Sequence, residues 1–132
     1  MARVEATLRE MEGPAPDASR PASDPATQAF ELALPDEAVA ALRDAYAGSD
    51  IILEYGSGGS SFLAMELGAS KLFTVESDAA WASRISASLR SQYPRGDFHV
   101  HSVDIGPTKA WGRPKDTSGC KGYPLYATSV WD

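Results

Sequence analysis

Twice along this chain a short apolar run gives way to small or polar residues and then to apolar positions at helical spacing, and a third run closes the series. The runs are IIL (51–53), KLFTV (71–75) and FHVHSV (98–103). The helical stretches are SFLAMELG (61–68), ending at a glycine, and the four-residue spacing of Trp81, Ile85 and Leu89. Runs without strict alternation suit strands covered on both faces, as a parallel sheet between helix layers requires. A further helix precedes the first run in LPDEAVAALRDAYAGSD. Pro35 suits its first turn, Asp36 and Glu37 complement the partial positive charge there, Val39, Leu42 and Tyr46 share a face, and Gly48 stops it. Ser77 and Asp78 are suitable caps for the helix carrying Trp81. The order predicts an α/β fold, with Trp81, Ile85 and Leu89 as a core face rather than a ligand surface.

The two ends of the chain lack this pattern. GPAPDASRPASDP (13–25) holds four of the nine prolines and almost no large apolar residue, so residues 1–27 read as a weakly ordered tail, with order beginning near Phe30. The folded part is then 28–132. From Gly106 to Asp132, three prolines and four glycines leave no clear period. This segment is expected to be mostly loop, with a helical turn near Tyr126. Lys109, Arg113, Lys115 and Lys121 make it locally basic, with Trp111, Tyr123, Tyr126 and Trp131 interleaved. It reads equally as a solvated loop, a cover for a ligand or a seat for an anionic one.

Composition narrows the possibilities. With 132 residues, 43% hydrophobic and 23% charged, the chain is of soluble globular type and has room for one domain. A net charge of −6 argues against a general nucleic-acid binder, which needs a basic field. The single cysteine, Cys120, allows no internal disulfide and has no motif around it to mark a nucleophile. No apolar run approaches the ~18 residues of a membrane span, and the opening MARVEATLREMEG has acids where a signal peptide has an apolar core. The expected compartment is the cytoplasm. His99 and His101 project to one face of their strand, but no third ligand is apparent and no metal is assigned.

The chemistry-bearing constellation is EYGSGGSS (54–61) together with the acid that ends the second strand. A strand, a glycine turn and a helix, in that order, let a nucleotide approach bare backbone and meet the unpaired N–H groups of a helix start. Glu76, at the end of the next strand and about 20 residues beyond Gly56, is placed to accept hydrogen bonds from ribose hydroxyls. Two ligand readings compete with a turn that binds nothing. A dinucleotide G-x-G-x-x-G begun at Gly56 needs glycine at 61, where Ser61 stands, and an acid just before the loop is unhelpful beside a pyrophosphate. The methyl-donor reading meets neither objection.

The stretch 34–104 resembles the class I S-adenosylmethionine-dependent methyltransferases. Their first motif is an acid followed by glycines at alternate positions, and this chain has Glu54, Gly56 and Gly58, with Ser60 where a third glycine often stands. The resemblance implies a Rossmann-like three-layer fold and S-adenosylmethionine as cofactor. It assigns Glu54 to the methionine end and passes Tyr55, Gly56, Ser57, Gly58, Gly59 and Ser60 beneath the cofactor. Glu76 would hold the ribose, with Ser77 and Asp104 near the adenine.

Only about three strands are present, so the expected sheet is incomplete and the chain is expected to carry the N-terminal, cofactor-binding half of such a domain. If the strand order is that of the family, the first strand becomes an exposed edge that a second copy or a partner chain could cover. Acceptor-side residues in the family come after the fourth strand, so no catalytic residue is named. The expected activity is methyl transfer to an unidentified acceptor, a small molecule rather than nucleic acid. The alternatives are a non-catalytic cofactor-binding or interaction module completed by a partner and, third, an NAD(P)-dependent oxidoreductase.

Overall fold

A computed structural model describes residues 30–132, and the tail expected at residues 1–27 lies outside the described residues. Helix α1 (Asp36–Ala47) leads into strand β1 (Ile51–Tyr55), helix α2 (Gly59–Glu66), strand β2 (Lys71–Glu76), helix α3 (Ala79–Gln92) and strand β3 (Phe98–Ser102). The strands form one parallel sheet in the order β1-β2-β3, with Ile51 opposite Lys71 and Leu72 opposite Phe98. Parallel neighbours need long crossovers, and α2 and α3 supply them. Among the described residues no helix is long and apolar enough to cross a membrane.

Alternation along the strands sends side chains to two cores. Ile52, Leu72 and Phe98 face the helices and meet Ala64 and Met65 of α2 and Ile85 and Leu89 of α3. Tyr46 of α1 packs at the edge of this cluster, and no residue of α1 is fully buried. On the opposite face Val75, Val103 and Ile105 form a second cluster, covered by Tyr123, Tyr126 and Val130. The result is the expected three-layer α/β arrangement. Helix α3 starts where its sequence indicated, with the Asp78 carboxylate accepting from the Trp81 backbone N–H at 3.0 Å.

The run IIL is not covered on both faces as its composition predicts. Ile51 is 67% exposed and Tyr55 is also exposed, while Leu53 between them packs on the second cluster; among the described residues β1 has β2 on one side and no strand on the other.

The C-terminal segment has more structure than its irregular composition suggested. Strands β4 (Thr108–Lys109) and β5 (Arg113–Pro114) form a small antiparallel hairpin, and Tyr123–Thr128 form helix α4, with a proline in its first turn. Tyr123, Tyr126 and Val130 fall three and four residues apart, which gives α4 and the turn after it one apolar face for the second cluster. Prolines and glycines hid that period in the sequence.

Candidate functional site: a glycine loop between two buried carboxylates

The C-terminal ends of β1 and β2 carry Glu54 and Glu76, both buried, and the glycine loop runs between them. The Gly56 N–H donates to the Val75 carbonyl at 2.7 Å, prolonging the sheet by one bond before the chain turns. Gly56 makes that turn at φ 95°, a conformation costly for any residue with a Cβ.

Glu54 faces the helix layer. Its carboxylate accepts hydrogen bonds from Tyr46 Oη at 3.0 Å, Ser60 Oγ at 2.9 Å and Ser61 Oγ. The Ser61 hydroxyl in turn accepts from the Gly58 N–H at 3.2 Å. One carboxylate thus ties α1, the loop and the start of α2 together. Burial pushes the Glu54 carboxyl above the usual range, opposed by its hydroxyl donors, and the Tyr46 phenol is raised by its own burial and by the Glu54 charge. Thr74 Oγ1, across the strand pair, is buried with no full hydrogen bond and only weakly favours the charged form of Glu54.

Glu76 faces the loop. Its Oε2 accepts from the Ser57 N–H at 3.1 Å and Ser57 Oγ at 2.7 Å, and its Oε1 accepts from the N–H groups of Ser77 at 2.8 Å and Asp78 at 3.0 Å. A carboxylate offers about four lone-pair sites, so all are in use. Three of the donors are fixed backbone groups, whereas the Ser57 hydroxyl is free to rotate away. It is the one side-chain donor on this carboxylate.

The glycines divide into two kinds. A Cβ built at Gly56 or Gly58 meets nothing within 4 Å, so open space lies in front of both. A Cβ at Gly59 would lie 2.8 Å from the Glu31 carbonyl and the Leu32 nitrogen, because the segment before α1 crosses the start of α2 there. Phe30 anchors that crossing, stacked on Phe62 at 4.9 Å and edge-on to Trp81 at 5.3 Å. Trp81 also donates its indole N–H to the Ser57 carbonyl at 2.9 Å, so this core residue fastens the loop as well.

The hairpin supplies the other border. The Gly112 carbonyl accepts from Ser77 Oγ at 2.6 Å, and a Cβ at Gly112 would lie 2.6 Å from that hydroxyl and 3.1 Å from Glu76 Oε1. Beside it Trp111 stands at φ 67°, a left-handed conformation costing about 1–3 kcal/mol for a residue with a side chain.

The structure therefore brings Ser57, between Gly56 and Gly58, and Ser77 onto the Glu76 carboxylate, while Ser60 bonds Glu54 on the helix side of the loop. Tyr55 points away, its ring 5.7 Å from that of Tyr126 and its hydroxyl donating to the Ala127 carbonyl at 2.8 Å. Asp104 is exposed, and its carboxylate accepts from the Gly106 N–H at 2.8 Å. Sequence reasoning missed Tyr46, Ser61, the crossing at Glu31–Leu32 and Gly112. Of these only Ser61, the first residue of the predicted helical stretch, carried a local signal. An open groove of about 600 Å³ lies elsewhere, between α3 and β3, and is lined by Ser83, Ser86 and Arg90 among others. His99 stacks on Phe73 at 5.3 Å, and His101 Nε2 is 2.8 Å from Ser129 Oγ. Among the described residues no three of His, Cys, Asp and Glu are grouped to hold a metal.

No family model and none of the curated proteins matches the chain. Among solved structures, a methyltransferase-like protein from Silicibacter pomeroyi DSS-3 is 43% identical and superposes with a TM-score of 0.70, over 77% of this chain and 54% of that one. The chain has a methyltransferase-like fold. It spans about half the length of the structure it matches. The sequence resemblance and the structural likeness thus point to the same fold, and in this methyltransferase-like sheet the loop and both carboxylates lie at the C-terminal ends of the strands, where such sheets bind ligands.

Proposed function

We propose that the chain binds S-adenosylmethionine and forms the cofactor side of a methyltransferase of class I type. The observation that carries the proposal is the open space in front of Gly56 and Gly58, directly beside the buried Glu76 carboxylate. The fit is good there. The backbone from Gly56 to Gly58 passes under the cofactor, Glu76 receives one ribose hydroxyl once Ser57 Oγ turns away, and Ser77 and Asp104 border the adenine end. Glu54, Ser60 and Gly59 hold the loop in place from behind. Bound, the cofactor supplies a methyl group on a sulfonium centre. The loop's contribution is to fix that centre and limit water around it, which is most of what an in-line methyl transfer requires. The acceptor is proposed to be a small molecule.

The open edge of β1 favours a second reading, a cofactor-binding module completed by a second copy or a partner chain over that edge. Calorimetric titration of the 132-residue chain with S-adenosylhomocysteine, with NADH as control, tests the first proposal. Saturable binding that Glu76→Gln weakens at least ~10-fold supports it, since a hydrogen bond to a charged group contributes about 1.5–3 kcal/mol. Absence of binding by folded chain, or preference for NADH, refutes it. Methyl transfer to a metabolite panel then separates an enzyme from a module.

A further inference from the structure

The hairpin that borders the site carries an unbalanced charge. Lys109 and Arg113 are direct partners in the antiparallel pair, so their side chains leave the same face of the ribbon as close neighbours. Like charges so placed repel each other. Both are exposed, and among the described residues neither has an ion pair or hydrogen bond from its side chain. This occurs in a chain of net charge −6, where counter-charges are plentiful. Trp111, in the three-residue connection between the two cations, is 57% exposed and held in the left-handed conformation without burial to compensate. Gly112 fixes the whole arm against Ser77 and Glu76. Strain, repulsion and an exposed aromatic surface thus meet on one short ribbon beside the proposed cofactor.

We infer that the 108–114 hairpin is an anion-binding arm. Lys109 and Arg113 together hold a phosphate or carboxylate, and Trp111 covers a flat group attached to it. A shared anion turns the repulsion between the cations into two charge-assisted hydrogen bonds, and Arg113 can meet either anion with two parallel N–H groups. The position over Glu76 makes the methyl acceptor an anionic, ring-bearing small molecule. That last step rests on the methyltransferase proposal, whereas the arm itself does not.

The test is calorimetry on the 132-residue chain at constant ionic strength, with inorganic phosphate, phenyl phosphate and benzoate as separate probes. Phenyl phosphate or benzoate is expected to saturate, and the stronger of the two identifies the acceptor's anion. Lys109→Gln and Arg113→Gln should each weaken that probe ~10-fold or more, and the double variant should abolish saturation. Trp111→Ala should weaken phenyl phosphate more than inorganic phosphate. Arg95→Gln, an exposed cation outside the hairpin, should change binding less than ~2-fold. Binding unaffected by the double variant, equal losses from Arg95→Gln, or no saturation by any probe would overturn the arm. So would a short RNA that depends on the same two residues and binds more tightly than every small anion. S-adenosylhomocysteine is titrated separately. If it fails to bind while the anion pattern holds, the arm stands and the methyltransferase proposal falls; the reverse result removes the arm alone.

Discussion

Adding one methyl group at Gly59 and one at Gly58 should have opposite consequences, although the two residues are adjacent in a glycine-rich loop. At Gly59 the new Cβ would lie 2.8 Å from backbone atoms of Glu31 and Leu32, and backbone cannot swing aside as a side-chain tip can. Relief requires the crossing segment to lift, which disturbs the Phe30 contacts with Phe62 and Trp81. Overpacking of this kind costs about 1–3 kcal/mol, and loss of an aromatic pair adds about 0.5–1.5 kcal/mol. The reduced freedom of the unfolded chain returns about 0.4–1 kcal/mol. The net is a destabilisation centred on ~2 kcal/mol (about 0.5–4 kcal/mol), and at about 4–8 °C per kcal/mol for a small domain a loss of ~2 kcal/mol should lower the midpoint by about 8–16 °C. At Gly58 a Cβ meets nothing within 4 Å and the backbone is extended, so stability should change by less than about 0.5 kcal/mol. That methyl projects into the space proposed for the cofactor, and S-adenosylhomocysteine affinity should drop ~10-fold or more, a cost of about 1.4 kcal/mol. Thermal unfolding followed by tryptophan fluorescence, paired with calorimetric titration, reads both quantities. If Gly59→Ala melts like the parent chain but loses ligand, or Gly58→Ala binds normally, the division of the loop into a chain-facing and a ligand-facing part is wrong.

Four further substitutions probe other parts of the structure. Ser57→Ala removes the rotatable donor from Glu76, so the ligand-free chain should lose about 1 kcal/mol in urea unfolding while S-adenosylhomocysteine binds no more weakly, and by preference more tightly. Glu54→Gln tests linkage: a carboxyl whose folded pKa is raised stabilises fully below its unfolded pKa and loses that contribution as pH rises through the folded value. Stability of the parent chain relative to Glu54→Gln should therefore decline from acid toward neutral pH, and a flat difference would refute it. Asp78→Ala removes the cap of α3 and should cost about 1 kcal/mol by the same unfolding assay. If the proposed pairing of a second copy on the edge of β1 holds, the chain should show concentration-dependent association in sedimentation and Ile51→Lys should reduce it, since an edge lysine disfavours strand addition; a chain that stays monomeric refutes self-pairing.

How much of this was legible depended on sequence distance. The strands and crossover helices follow from local period, and Asp78 as the cap of α3 follows from its place three residues before Trp81. Glu76 at a strand end was also readable, because the length of one β-α-β step fixes its spacing from Gly56. The partners of these groups were not. Tyr46 reaches Glu54 across a turn, Glu31 reaches Gly59 over 28 residues and Gly112 reaches Ser77 over 35. Nothing local in AWGRP marks its glycine as a seat against a carboxylate. The amphipathic face of α4 was hidden for another reason: only Tyr123, Tyr126 and Val130 define it, too few positions to stand out among prolines and glycines.

A glycine motif is ambiguous evidence for a ligand on the same grounds. A bare Cα allows something to come close, whether a cofactor or the protein's own backbone, and the sequence records only the allowance. Here Gly56 and Gly58 leave space unfilled, whereas Gly59 and Gly112 are already pressed by chain. Glu76 shows the same duality in hydrogen bonding: its four acceptor positions are satisfied within the protein, three by fixed amides and one by the Ser57 hydroxyl. A site built this way is stable without ligand, since no buried charge is left unpaired, and on the proposed reading it would admit one ligand hydroxyl by releasing one rotor. The cost of release is about one net hydrogen bond, which a ribose hydroxyl of the proposed cofactor would return in kind. Part of the affinity must then come from the space above Gly56 and Gly58, so a single methyl at Gly58 probes the proposed site independently of its carboxylate.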